Sequence, residues 1–106
     1  MATYLLASLL ALLSLTPQVG LSPLTIRTKV HLHTQFLSGE VCLHIDSDNE
    51  STADCWTVED PPQRTWTKYH VLRGAGEWRV WTTQEGKDLQ GNAMSVRSPE
   101  SRVQVY

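Results

Sequence analysis

Thr25-Ile26-Arg27-Thr28-Lys29-Val30-His31-Leu32-His33-Thr34-Gln35-Phe36 is the stretch whose reading decides the fold. Ile26, Val30, Leu32 and Phe36 fall on one parity, and Arg27, Lys29, His31, His33 and Gln35 fall on the other. Successive side chains of an extended chain point to opposite faces, so this alternation belongs to a strand with one face buried and one wet. Leu37-Ser38-Gly39-Glu40 supplies turn chemistry, and Glu40 to Asp46 alternates again, with Val41, Leu43 and Ile45 inward and Cys42, His44 and Asp46 outward. The two runs are expected to close as a hairpin pairing Phe36 with Val41, the register that keeps both apolar sets on one face.

The same period continues downstream. Trp56-Thr57-Val58 begins a regular segment that Pro61-Pro62 ends, because proline lacks the ladder donor and restricts its predecessor. Trp66 to Leu72 resumes as a strand, Gly74-Ala75-Gly76 is a turn, and Glu77 to Thr83, rich in aromatic and β-branched residues, is expected to be the best-buried strand. Glu85-Gly86-Lys87 and Gln90-Gly91-Asn92 read as breaks before a short segment at Ala93 to Val96 and a last run from Arg102 to Tyr106. Beyond the N-terminal apolar run nothing repeats at i, i+3, i+4, i+7. The expected fold class is therefore all-β, a small two-sheet sandwich over residues 21–106 preceded by a hydrophobic leader helix.

Met1 to Leu15 is almost wholly apolar and is followed by Pro17. The run is shorter than the roughly 20 residues a membrane-spanning helix needs, and it stands at the extreme N-terminus. Residues 1–20 are accordingly read as a signal peptide cut near Gly20, although no Lys or Arg precedes the run and a buried or anchoring N-terminal helix is the alternative. Asn49-Glu50-Ser51 is a glycosylation acceptor within the polar stretch Asp46 to Asp54. Cys42 and Cys55 flank that stretch, and two cysteines in an exported small domain are expected to pair. Closing so short a loop stabilises by roughly 3 kcal/mol.

With 106 residues, 41% hydrophobic composition and four Trp, the chain has the material for one packed domain and no more. A net charge of -2, with no run of Lys or Arg, argues against nucleic acid as a partner. Catalysis finds little support: there is no G-x-S-x-G elbow, phosphate-cradling glycine loop, C-x-x-C or H-E-x-x-H, and the thiols are expected in a bridge. No cofactor is expected, with one reservation. In the expected hairpin His33 lies opposite His44 and His31 opposite Asp46, four ligands on one outer face that could converge on Zn²⁺. The competing reading is that all four are solvated polar residues.

The tryptophans divide by parity. Trp78 shares the parity of Val80 and is expected in the core, whereas Trp81 shares that of Glu77 and Arg79 and is expected to face outward. Trp66, Tyr69, Arg79 and Trp81 are the candidate partner-binding residues, since exposed Trp, Tyr and Arg together form the chemistry of binding hot spots. Core packing is the default alternative for each aromatic.

Gly76-Glu77-Trp78-Arg79-Val80-Trp81 resembles the penultimate strand of immunoglobulin-like and fibronectin type III sandwiches, where a turn glycine precedes aromatic-x-Val-x and a valine-rich strand closes the sheet. The resemblance covers about the last third of the chain and implies an architecture. The chain departs from immunoglobulins in its cysteines, which are close together rather than far apart. Cys55-Trp56 and Trp78-Arg79-Val80-Trp81-Thr82 are also similar to the cysteine pairs and Trp-Ser-x-Trp-Ser box of class I cytokine receptors, but Arg79 replaces a serine and the interval is short. The expected function is a secreted or extracellular recognition or adhesion module that binds a protein partner without catalysis. The alternatives are a small secreted metal-binding protein built on the histidines, or a truncated isoform of a longer receptor ectodomain, suggested by the end of the chain inside an apolar strand.

Overall fold

The computed structural model describes residues 12–106. Among these residues the elements are β1 (Leu13–Thr16), β2 (Val19–Gly20), β3 (Leu24–His31), β4 (Phe36–Asp46), β5 (Ser51–Val58), β6 (Thr65–Leu72), β7 (Gly76–Asp88), β8 (Ala93–Arg97) and β9 (Ser101–Val105). They form a three-stranded sheet ordered β1-β3-β6 and a six-stranded sheet ordered β2-β9-β7-β4-β5, with β8 also paired to β7. All pairings are antiparallel except β2 on β9. The all-β class holds, and the two sheets pack over one core. No described helix is long and apolar enough to cross a membrane.

Alternation does what the sequence required of it. Ile26 and Val30 from β3, Leu43 and Ile45 from β4, and Trp78 and Val80 from β7 all point into one cluster. Each of those strands turns its other parity to the outside, which is the geometry of two half-buried sheets sharing a core.

The hairpin between the first two runs does not form. Phe36 pairs with Asp88, and Val41 pairs with Trp56 and Gln84, so β3 and β4 belong to different sheets. The apolar alternation runs unbroken through Leu32, but the chain leaves the smaller sheet after His31 and enters the larger one at Phe36. The crossing backbone is held by a side chain: Gln84, fully buried, accepts from His33 N at 2.9 Å and donates to the His31 carbonyl at 2.9 Å. Leu32 N donates to the Arg64 carbonyl, and the Arg64 guanidinium reaches the carbonyls of His33 and Phe36.

Two other expectations change. Glu85-Gly86-Lys87 does not break the chain, because β7 runs through it to Asp88. Gly86 sits against the β4 backbone so closely that a Cβ there would strike the Ser38 carbonyl, and Gly39 (φ 149°) meets the Glu85 carbonyl in the same way. These glycines mark a close approach of two strands rather than a turn. The polar stretch is also shorter than expected, since β4 continues to Asp46 and β5 begins at Ser51.

The expected leader helix falls partly on residues 1–11, which lie outside the described residues. Its remainder, Leu12 to Gly20, is not helical. Leu13 and Leu15 sit in the core from β1, and β2 pairs with Gln104 and Val105 of β9, so the fold takes in residues that the sequence reading assigned to the leader. The run is ambiguous on physical grounds, since leucine at alternate positions serves a strand as well as unbroken apolarity serves an h-region.

Two outcomes follow. Gln84→Leu leaves the His33 N–H and the His31 carbonyl without partners and should cost about 2–4 kcal/mol in urea unfolding; a change within about 0.5 kcal/mol would contradict the clasp. A chain beginning at Leu21 should be less stable than one beginning at Leu12 by about 6 kcal/mol, the worth of three buried leucines (Leu12, Leu13 and Leu15), and equal thermal midpoints for the two would remove β1 from the core.

Candidate recognition site

The outer face of the larger sheet is read directly from register. His44 stands opposite Trp81, Asp46 opposite Arg79, and Cys42 opposite both Thr83 and Cys55. On β8, Arg97 stands opposite Thr83. From there the Arg97 guanidinium reaches diagonally over the Trp81 ring, 4.8 Å from its centroid. On the other side the His44 imidazole stacks on Trp81 with centroids 5.1 Å apart and planes 9° from parallel. Trp81 is thus clamped between a guanidinium and an imidazole while remaining partly exposed. The cation and the ring quadrupole attract, and offset stacking holds the second side. His44 Nε2 and the Thr83 hydroxyl lie in a 2.8 Å hydrogen bond that fixes the imidazole in turn.

Ion pairs surround this stack. Arg79 donates to Asp46 at 2.8 Å and lies 3.7 Å from Asp48. Arg97 meets Glu100 at 3.2 Å, and Arg102 meets Glu77 at 3.0 Å. The Arg79 guanidinium is held above its ordinary value chiefly by the hydrogen bond it donates to Asp46. Exposed pairs of this kind add little to stability, but they orient long side chains.

Cys42 and Cys55 form a disulfide across the β4–β5 ladder. A bridge of this kind belongs in a non-reducing environment. It staples the edge strand β5, whose inner parity closes one side of the sandwich: Asp54 lies 3.9 Å from Lys68, Lys68 stands 4.5 Å over the Trp56 ring, and Trp56 packs on Trp66 at 5.4 Å.

The sequence-derived candidates are therefore divided. Arg79 and Trp81 share the larger sheet's outer face. Trp66 points inward and packs against the core, and Tyr69 is 65% exposed on the opposite, smaller sheet. Asn49 is exposed in the tight 47–50 turn, where Ser47 Oγ accepts from the backbone N–H groups of Asn49 and Glu50. His31, His33, His44 and Asp46 do not come together, because the hairpin that would have joined them is absent. His33 is buried and its Nδ1 accepts from Gln35 N, while Asp46 is engaged by Arg79. Among the described residues the group of potential ligands close enough to share an ion is Glu40, Cys42 and Cys55, and both sulfurs are spent in the bridge. Neither the reach of Arg97 over Trp81 nor the stacking of His44 on it was foreseen from the sequence. The signal was available: treating Gln90-Gly91-Asn92 as a hairpin turn carries β8 back along β7 and sets Arg97 beside Trp81.

No family model, curated protein or solved structure matches this chain.

Three histidines tie the fold to pH. Burial holds His33 below its ordinary value; burial and then Arg97 do so for His44; burial is the main cause for His70, with Asp54 opposing and Lys68 assisting. His70 Nε2 is buried without a hydrogen-bond partner among the described residues, so a proton there would gain no hydrogen bond to offset desolvation. The unfolded chain takes up these protons near pH 6.5 and the folded chain only at lower pH. Between those values the unfolded state binds more protons, and stability should fall as pH drops from about 7 towards 5. Urea midpoints at the two pH values check this, and a midpoint that rises on acidification contradicts it.

Proposed function

We propose that this chain is an exported recognition module of the immunoglobulin-like and fibronectin type III sandwich group, binding a protein partner through the outer face of its larger sheet. The observation that carries the reading is Trp81 held between Arg97 and His44 at the centre of a ring of ion pairs. Trp and Arg are the residues over-represented in binding hot spots. A tryptophan already fixed on both sides loses little rotamer freedom on docking, so more of its burial appears as affinity. The ion pairs around it supply the polar rim that protein interfaces carry.

The group assignment draws support from strand order. The sheets β1-β3-β6 and β9-β7-β4-β5 correspond to the A-B-E and G-F-C-C′ sets of such sandwiches. Export draws support from the disulfide and from the position of Asn49 on an exposed turn, where a glycan would stand beside Asp48 and Arg79 at the edge of the face. The reading assigns the chain no catalysis, no nucleic-acid partner and no cofactor.

The test is cell-surface staining by the purified, multimerised full chain. Staining should be abolished by prior protease treatment of the cells. It should fall at least tenfold for Trp81→Ala, consistent with loss of a hot spot, with the circular-dichroism spectrum unchanged. Staining that survives both Trp81→Ala and Arg97→Ala would sink the assigned face, and a chain that stays in the cytosol with titratable thiols would sink export.

A further inference from the structure

We propose that the outer face of the three-stranded sheet is a second binding site, for a sulfated polysaccharide. The face is built around one line of side chains. Thr25, Arg27, Lys29 and His31 are the outward parity of β3, with alternate residues about 7 Å apart along the strand. Register places Thr16 and Tyr69 on either side of Arg27, and Ser14 and Thr67 on either side of Lys29. Val71 flanks Thr25, so Tyr69 and Val71, 65% and 47% exposed, form an apolar strip beside the cations.

No carboxylate stands on this face among the described residues. Neither Arg27 nor Lys29 makes an ion pair with any described residue, and both are exposed. The contrast with the other sheet is what carries the inference. There Arg79, Arg97 and Arg102 each have an acid within reach. The chain as a whole carries a net charge of -2, so an unopposed basic line is a local feature and not an excess of positive charge. Among the described residues the cationic side chains of this face, Arg27 and Lys29, meet no carboxylate, and each is flanked by hydroxyl groups that can donate.

This chemistry fits a linear polyanion with repeated oxyanions on rings. Sulfate oxygens accept charge-assisted hydrogen bonds from Arg27 and Lys29 and further bonds from Ser14, Thr16 and Thr67, while the apolar face of a sugar ring rests on Tyr69. A single phosphate would use cations converging on one point, and these are strung along a strand. An anionic membrane offers about 1 kcal/mol per basic residue near its surface, too little from two for stable attachment. The site rests on the export reading only for access to such a chain, and it is independent of Trp81.

Binding of the purified full chain to immobilised heparin, read as the salt concentration needed for elution, tests the proposal. Arg27→Ser with Lys29→Ser should elute at markedly lower salt, with affinity reduced about tenfold or more. Arg27→Lys with Lys29→Arg should keep retention, and Lys87→Ser, which removes an exposed cation of the other sheet, should not change it. Trp81→Ala should leave heparin retention intact even where it abolishes cell staining, which separates the two sites. Arg27, Lys29 and Lys87 are exposed and Trp81 is partly so, and matching thermal midpoints confirm that the variants fold. No retention at about 50 mM salt, an equal loss for Lys87→Ser, or binding to phosphatidylserine vesicles that heparin does not displace would each overturn it.

Discussion

The side-chain amide of Gln84 is the interaction on which the rest of this structure depends. A chain that moves from one sheet to another must carry backbone through the interior with no ladder beside it, and buried peptide groups cannot go unpaired. Between His31 and Phe36 this problem is solved by Gln84, whose amide offers one acceptor and one donor to the crossing backbone as a neighbouring strand would. Gln84 is itself opposite Val41 in the ladder of β4 with β7, so the clasp locks the end of the smaller sheet's central strand to the middle of the larger sheet. Both outer faces take their composition from that lock. It sends Arg27 and Lys29 to one side of the molecule and His44 and Asp46 to the other.

That division explains what the sequence could and could not show. Parity was legible within the strands: Ile26, Val30, Phe36 and Trp78 are buried, Trp81 faces outward, and Cys42 meets Cys55. Parity says which side of a sheet a residue faces, and it is silent about which sheet. Leu32 keeps the apolar rhythm after β3 has ended, while His33 is buried against it, so a strand-to-strand crossing was indistinguishable from a longer strand. The expected cluster of His31, His33, His44 and Asp46 depended wholly on that pairing and dissolved with it. The residue that reveals the crossing is a glutamine in a distant strand, and nothing local marks a buried Gln as different from a solvated one. Gly86 misled for a similar reason, since glycine serves a turn and a close backbone approach equally well.

The electrostatic difference between the two faces follows from which strands lie beside which. In the larger sheet antiparallel pairing sets Asp46 against Arg79, and Arg102 of β9 reaches Glu77 on its neighbour, so the arginines around Trp81 each have an acid beside them. In the smaller sheet the central strand carries the cations, and its neighbours β1 and β6 contribute hydroxyls, Tyr69 and Val71. One face thus pairs its arginines around an aromatic centre, and the other leaves Arg27 and Lys29 without an ion pair among the described residues.

The disulfide links these consequences to the edge of the fold. β5 is the last strand of its sheet and has a partner on one side only. Its inner residues Asp54 and Trp56 reach Lys68 and Trp66 of β6, the edge strand of the other sheet, so the margin of the sandwich is closed by side chains and not by a ladder. An ion pair and two tilted aromatic rings in contact make a weaker seal than backbone hydrogen bonds and depend on β5 staying in register. A covalent link from Cys55 to Cys42 fixes that register at the residue between Asp54 and Trp56, where a slip of one position would turn both away from the interior. Cys42 also lies one residue from Leu43 and two from His44, so the same bond steadies the strand that presents the imidazole to Trp81.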